Sequence, residues 1–139
     1  MNKAEAIKNA LSHFQDFQYM VLGTINGNSP RVRPVTLIYL DSKFWVMTDT
    51  NSEKVEQIRR NPNVEFCKVF SENNVDCCLR VSGVANIVMD LEAKTKIANY
   101  CDFFYKHWQS VNDPKYTLLE IHPTDIIFVK PDKVTRIKL

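Results

Sequence analysis

Two β-rich segments joined by an Asn-Gly turn restrict the fold of this chain more than any other feature. The segments cover residues 19–26 (YMVLGTIN) and 31–40 (RVRPVTLIYL), with Asn26-Gly27-Asn28-Ser29-Pro30 between them. Asn-Gly between such segments is a strong hairpin signal, because tight hairpin turns need residues that tolerate positive φ. The sequence therefore predicts an antiparallel pair, which Asp41-Ser42 extends into a third strand over residues 43–48.

The rest of the chain continues this pattern of strands with a few helices. Strands are predicted at 63–70, 76–89, 116–121 and 125–130, with a bulge or bend at Gly83. Apolar residues at helical spacing predict helices over 4–14 and 91–108. A short helix starts near residue 52, capped by Thr50 with Glu53 or by Ser52, and Pro62 ends it. We therefore expect one α+β domain over residues 1–139, mainly β, built as an antiparallel barrel or sandwich of about six strands.

Composition and charge exclude several classes of function. The three glycines, Gly23, Gly27 and Gly83, cannot form a dinucleotide-binding fingerprint or a P-loop. A net charge of +2 disfavours a nucleic-acid partner, and no apolar run approaches the roughly 20 residues of a membrane span. Neither the four cysteines nor the three histidines have metal-ligand spacing, so we expect free thiols and no metal site. With no signal-peptide pattern near the start, the expected location is the cytoplasm.

Arg31 and Arg33 are the first candidate ligand-binding residues. Side chains alternate along a strand, so these two share a face about 7 Å apart. Two guanidiniums that close repel each other unless solvent screens them or an anion lies between them, and guanidiniums match phosphate geometry. The pair is therefore either a solvated strand face or part of a phosphate site.

The second candidate is the junction MTDTNSEK (47–54), where the third strand leads into the short helix. The first turn of a helix offers unpaired N–H groups and the positive end of its dipole. Ser52 adds a hydroxyl and Lys54 a cation, which together make a phosphate site without a glycine-rich loop. An ordinary capped helix fits the same residues. Because the neighbouring strand carries the arginine pair, the two signals together favour a phosphate-bearing ligand.

Three stretches in this order, RVRPV (31–35), WVMTDTNSEK (45–54) and VEQIRRNPNV (55–64), resemble the pyridoxamine 5′-phosphate oxidase-like family of FMN-binding split barrels. The resemblance covers residues 14–90 through these motifs and the C-terminal third of the chain by layout. It implies a six-stranded antiparallel Greek-key split β-barrel, a homodimer, and FMN held at the subunit interface. The cofactor-binding residues that it implies are Arg33, Pro34, Val35 and Thr36 on the second strand, Met47 and Thr48 at the end of the third, and Ser52 and Lys54 at the helix start, with Arg31 as a further candidate.

Three departures separate this chain from the true oxidases of that family. Glu53 stands where they have a second basic residue, Ile38 where they have a substrate-contacting lysine, and Cys78 where a glutamine contacts the flavin. The resemblance therefore implies a short-branch FMN flavoprotein and not a pyridoxamine phosphate oxidase. The expected reaction is hydride or electron transfer between a reduced nicotinamide-type donor and a small acceptor, and no catalytic side chain is assigned.

Other functions fit parts of the same pattern. A non-enzymatic flavin-binding or sensing protein would carry every motif above, and a split barrel that binds heme or a deazaflavin would share the layout. A small oligonucleotide-binding barrel also presents aromatic and arginine side chains, although the near-neutral charge disfavours it. A visible absorption spectrum separates flavin, heme and no chromophore.

Overall fold

The computed structural model of the protein describes residues 2–139, and it confirms the mainly β class with helices. In chain order, the elements are α1 (Lys3–Leu11), β1 (Phe17–Asn26), β2 (Ser29–Leu40), β3 (Lys43–Asp49), α2 (Glu53–Arg60), β4 (Asn63–Glu72), β5 (Val75–Val88), α3 (Leu91–Tyr100), a 3₁₀ turn (Phe104–Lys106), β6 (Tyr116–Lys130) and β7 (Lys133–Lys138).

The strands form one antiparallel sheet that closes on itself. Their order is β3-β2-β1-β4-β5-β6-β7, and an additional pairing between β3 and β6 completes a ring of six strands. β7 lies outside this ring, paired with the second half of β6. β4 follows the hairpin-linked β1, β2 and β3 and pairs beside β1, which is a Greek-key arrangement.

The first two hairpins form where their turn residues predict them. Asn26 pairs with Ser29 across a two-residue loop, in which Gly27 has a φ of 62°. Asp41 and Ser42, with φ of 54° and 61°, make the tight turn between β2 and β3. These turns set the register of β1, β2 and β3, and therefore the residues that face the site.

The last two strands differ from the prediction. Residues 116–121 and 125–130 belong to one strand, β6, and β7 follows it. Gly83 explains the continuity: the register between β5 and β6 shifts at Ser82 and Gly83, and a Cβ on Gly83 would collide with the carbonyl oxygen of His122. The bulge predicted at Gly83 is therefore confirmed, and it lets β6 continue past Pro123.

The third helix is shorter than predicted. It ends at Tyr100, since Cys101 adopts an extended conformation (φ −101°, ψ 108°), and the 3₁₀ turn follows in place of a helix reaching residue 108. This bend lets Phe104 and Trp108 pack against Tyr116, so tertiary packing overrides the helical periodicity. Among residues 2–139, no helix has the length and apolar character needed to cross a bilayer.

Two apolar clusters stabilise the fold. One fills the barrel interior around Leu22, Phe44 and Phe66. The other packs α3 and the segment after it against the outside of the sheet, and it includes Ile38, Trp45, Ile97, Phe104 and Trp108. The second cluster holds the segment after α3 next to β2 and β3, where the candidate site lies.

Candidate functional site

A cavity of about 900 Å³ lies between β1, β2 and β3 and the segment that follows α3. Its volume falls within the usual range of cofactor and small-molecule sites, about 300–1,000 Å³. Six of the residues predicted for the site line it, namely Pro34, Val35 and Thr36 from β2, Met47 and Thr48 from β3, and Lys54 from α2.

The other three predicted residues are not part of the cavity wall. Ser52 is adjacent to it, because its Oγ lies 3.3 Å from Thr48 Oγ1. Arg33 is near enough to Lys54 for its charge to lower the pKa of that amine. Arg31 is exposed, and its Nη1 donates to the Pro30 carbonyl oxygen at 3.0 Å. The structure therefore brings Ser52 and Arg33 to the site and leaves Arg31 away from it.

The start of α2 leaves its first N–H groups without a side-chain cap. Ser52 is the N-cap residue, which was one of the two caps predicted, but its side chain makes no capping hydrogen bond. The predicted capping box of Thr50 and Glu53 is wrong, because the Thr50 hydroxyl donates to the Pro114 carbonyl oxygen at 2.8 Å. The positive end of α2 is consequently available to an anion.

Lys54 combines a short hydrogen bond with an unfavourable setting for its charge. Its Nζ donates to Thr48 Oγ1 at 2.6 Å. Burial lowers the pKa of Lys54 from the ordinary value of 10.5, the charge of Arg33 lowers it further, and Asp49 acts in the opposite direction. Within residues 2–139, no carboxylate oxygen lies within 4.0 Å of this ammonium group.

Arg33 is held by neutral oxygens. Its Nη1 donates to Thr24 Oγ1 at 2.7 Å and to the Leu22 carbonyl oxygen at 3.3 Å, and its Nη2 donates to Gln57 Oε1 at 2.9 Å. Burial lowers the pKa of the guanidinium, and the charge of Glu53 raises it. In the part of the chain that the structure describes, no carboxylate oxygen comes within 4.0 Å of it either. Two cations therefore lie together beside the cavity, and neither forms an ion pair with a carboxylate of the described residues.

Sequence analysis did not identify Gln57 and Thr24 as site residues. One signal was present for Gln57, which lies between Val55 and Ile58 on the buried side of α2. A buried amide needs hydrogen-bond partners. The sequence does not indicate these partners, because Thr24 is 33 positions away from Gln57 along the chain.

The segment after α3 forms one wall of the cavity. Trp108 fixes this wall, because its Nε1 donates to Asp49 Oδ1 at 2.9 Å and to the Lys115 carbonyl oxygen at 3.1 Å. Lys106 and His107 line the cavity beside it. Neither has a carboxylate oxygen within 4.0 Å among residues 2–139. The wall thus adds a cation and an ionisable imidazole to the site.

Two of the departures from the oxidase pattern have clear positions in the structure. Ile38 lines the cavity, but it is fully buried and carries no charge. Cys78 is half-buried on β5 and does not belong to the cavity wall. The site therefore has no charged group at the position where the oxidases place their substrate-contacting lysine.

The closed ring of strands and the cation-bearing cavity beside β2 and β3 define a split-barrel protein. The sequence profile described as pyridoxamine 5′-phosphate oxidase matches residues 5–130, and the chain belongs to this family. General stress protein 26 of Bacillus subtilis (strain 168) is 26% identical over 140 residues, covering 100% of this chain and 99% of that protein. The crystal structure of a NimC/NimA family protein from Clostridium acetobutylicum has a TM-score of 0.78 at 19% identity, covering 99% of this chain and 94% of the other.

Two further solved structures share the fold and are named for different ligands. A FAD-binding protein from Mesorhizobium loti has a TM-score of 0.67 at 16% identity, covering 91% of this chain and 90% of that chain. A heme-binding protein from Mycobacterium smegmatis has a TM-score of 0.76 at 12% identity, covering 99% of this chain and 58% of that chain. At these identities the likeness shows the common fold alone.

Proposed function

We propose that this protein binds FMN and acts as an oxidoreductase. Ser52, Lys54 and the first turn of α2 would hold the phosphate together with Arg33, and the ring would lie along the cavity wall formed by Pro34, Val35, Thr36, Met47 and Thr48. The residues present suit this group, because the cavity has a cofactor's volume and carries Lys54 on its wall, beside an uncapped helix start and near Arg33.

One observation carries the proposal. Arg33 lowers the pKa of Lys54, so the two charges repel each other. Asp49 and Glu53 act on them from a distance, but no carboxylate oxygen within residues 2–139 forms an ion pair with either cation. Because both side chains are partly buried, solvent screens this repulsion incompletely, and an anion between the charges would relieve it. A phosphate would supply this anion. The donors that commonly bind phosphates are guanidinium, ammonium, hydroxyl and helix N–H groups.

The expected reaction is the transfer of hydride or electrons from a reduced nicotinamide-type donor to a small acceptor. When bound, FMN supplies this redox chemistry, and the protein supplies binding, orientation and access. Lys106 and His107 suit the donor's pyrophosphate because they line the same cavity without carboxylate partners. No side chain is assigned as an acid or base.

Heme binding is a second candidate function. His107 is the imidazole that lines the cavity, imidazole is a common axial ligand of heme iron, and one protein of the same fold is named for heme binding. The visible spectrum of the purified protein separates flavin bands from a heme Soret band.

We further propose that the protein is a homodimer. Tyr19, Val21, Val32 and Val69 share one outer face of β1, β2 and β4, which we call the apolar outer face. Their exposed fractions lie between 43% and 86%. Tyr19 also lines the cavity, so a second copy covering this face would lie next to the cofactor.

Removing the charge of Lys54 tests the FMN proposal. Lys54→Gln should weaken FMN binding about ten- to hundredfold, since a charge-assisted hydrogen bond contributes about 1.5–3 kcal/mol. Riboflavin lacks the phosphate, so its affinity should stay the same. Fluorescence titration measures both. Equal losses for the two flavins would show that Lys54 acts on the fold and not on a phosphate.

Turnover distinguishes an enzyme from a flavin-binding protein without activity. We expect the FMN-loaded protein to consume NADH or NADPH in the presence of a small acceptor. We expect no pyridoxal phosphate from pyridoxamine 5′-phosphate and oxygen, because Ile38 offers no charge to a second phosphate. The absence of nicotinamide oxidation with every acceptor tried would favour the non-enzymatic role.

A further inference from the structure

Thr24 and Gln57 provide Arg33 with two acceptors that imitate a carboxylate without its charge. Thr24 Oγ1 accepts from Nη1 at 2.7 Å, and Gln57 Oε1 accepts from Nη2 at 2.9 Å. The two oxygens lie 2.6 Å apart, because the Thr24 hydroxyl donates to Gln57 Oε1. They therefore occupy the Nη1–Nη2 edge of the guanidinium as a bidentate carboxylate does, yet both are neutral. We call this pair the neutral clamp.

The neutral clamp leaves another edge of Arg33 for a ligand. A guanidinium has five N–H groups, and the Leu22 carbonyl oxygen takes a second bond from Nη1. Nε–H and the remaining Nη2–H, which lie on one side of the guanidinium, have no acceptor among the residues described. This edge matches two oxygens of a phosphate.

Thr24 and Gln57 are buried, so their lack of charge directly affects the guanidinium of Arg33. Thr24 and Gln57 are only 2% and 6% exposed, so water does not screen their bonds to Arg33. A carboxylate at position 57 would hold the guanidinium equally well and would also neutralise it. The amide orients Arg33 without placing a negative charge in contact with it.

We propose that Thr24 and Gln57 are positioning residues that orient Arg33 toward the phosphate of the bound flavin and preserve its charge for that phosphate. This inference rests on the proposed function, because it states how the same site selects a phosphorylated flavin. It gives a role to two residues that are not part of the cavity wall. Selectivity for FMN over riboflavin then depends on the neutral clamp.

Gln57→Glu is the decisive variant. It keeps the shape of the side chain and introduces a carboxylate, which the adjacent guanidinium keeps ionised. We expect FMN affinity to fall about tenfold or more, with riboflavin affinity unchanged, in fluorescence titrations with both flavins. Asn99→Asp makes the same change of amide to carboxylate on the exposed side of α3 and is the matched control. Its ratio of FMN to riboflavin affinity should equal that of the wild type.

Thr24 offers a milder pair of variants. Thr24→Val removes the hydroxyl and should lower FMN affinity selectively, whereas Thr24→Ser keeps the hydroxyl and should retain that affinity. Equal losses of FMN and riboflavin affinity in Gln57→Glu and Thr24→Val would overturn the proposal, because the clamp would then act only on the fold. No loss in either variant would overturn it as well.

Inorganic phosphate separates this proposal from that of FMN binding. If the wild type bound neither flavin, the proposed function would fail, but phosphorus NMR of inorganic phosphate would still report on an anion site. Line broadening in the wild type that disappears in Gln57→Glu supports the neutral clamp. Broadening of equal size in both proteins, or in neither, contradicts it.

Discussion

Lys54 links pH to stability and, in the proposed function, to FMN binding. Burial and the charge of Arg33 hold the pKa of Lys54 below its ordinary 10.5, while Asp49 opposes them. Since the folded protein disfavours the ammonium form, this residue lowers stability at pH values below its folded pKa. The loss is relieved as pH rises through the folded pKa toward 10.5. A bound phosphate has the opposite preference, because it needs the ammonium.

The pH dependence of FMN affinity should therefore have two limbs. FMN affinity should rise with pH near pH 6, where the phosphate becomes a dianion. At alkaline pH it should decrease as Lys54 loses its proton, and this decrease should begin at a lower pH than the ordinary lysine pKa of 10.5 predicts. Fluorescence titrations from acidic to alkaline pH measure the FMN affinity. Riboflavin is the control for changes in the protonation of the flavin ring. Lys54→Arg should move the alkaline limb to higher pH. Identical profiles for FMN and riboflavin would contradict the role given to Lys54.

Single residues of the site differ in how far the sequence reveals them. Ser52 and Lys54 follow from local pattern, since a hydroxyl and a cation at a helix start suffice to suggest an anion site. Arg31 satisfied the same local pattern as Arg33, yet only Arg33 reaches the site. What separates them is the contact with Thr24 and Gln57, and that contact exists only once distant segments pack together.

The elements follow the sequence where their turns are local and depart from it where packing decides. The β1–β2 and β2–β3 hairpins depend on two-residue turns, which their own side chains specify. The end of α3 depends on burying Phe104 and Trp108, and the continuity of β6 depends on Gly83 of a different strand. Neither requirement appears in the periodicity of the segment concerned.

Gly83→Ala tests the bulge that lets β6 continue past Pro123. A Cβ at this position would overlap the carbonyl oxygen of His122, which is backbone and cannot easily move. We expect a loss of about 1–3 kcal/mol in the free energy of unfolding, as for other overpacked sites, measured by urea denaturation. Gly23→Ala is the matched control within a strand, because its Cβ would come no closer than 3.4 Å to any neighbour. A loss as large in Gly23→Ala would show that the bulge is not the cause.

At the scale of the whole molecule, the barrel presents two surfaces of different character around one cavity. Cations lie at the start of α2 and on the segment after α3, and the apolar outer face borders the cavity at Tyr19. The class of fold follows from the number of hairpins, but the closure of β3 on β6 joins segments far apart in the chain and has no local signal. The apolar outer face likewise becomes visible only when the register places Val21 beside Cys67.

Val69→Glu tests whether a second copy covers the apolar outer face. Val69 is 75% exposed, so the charge should leave the free energy of unfolding of the single chain nearly unchanged. If the face is a dimer interface, sedimentation should show twice the chain mass of 16.2 kDa for the wild type and a single chain for the variant. FMN affinity should fall with the loss of the dimer, although Val69 itself does not line the cavity. Met89→Glu is the control. It introduces the same charge at another exposed apolar residue, which lies after β5 and outside the apolar outer face. This variant should remain a dimer. A wild-type monomer that binds FMN tightly would rule out a cofactor site that needs the partner.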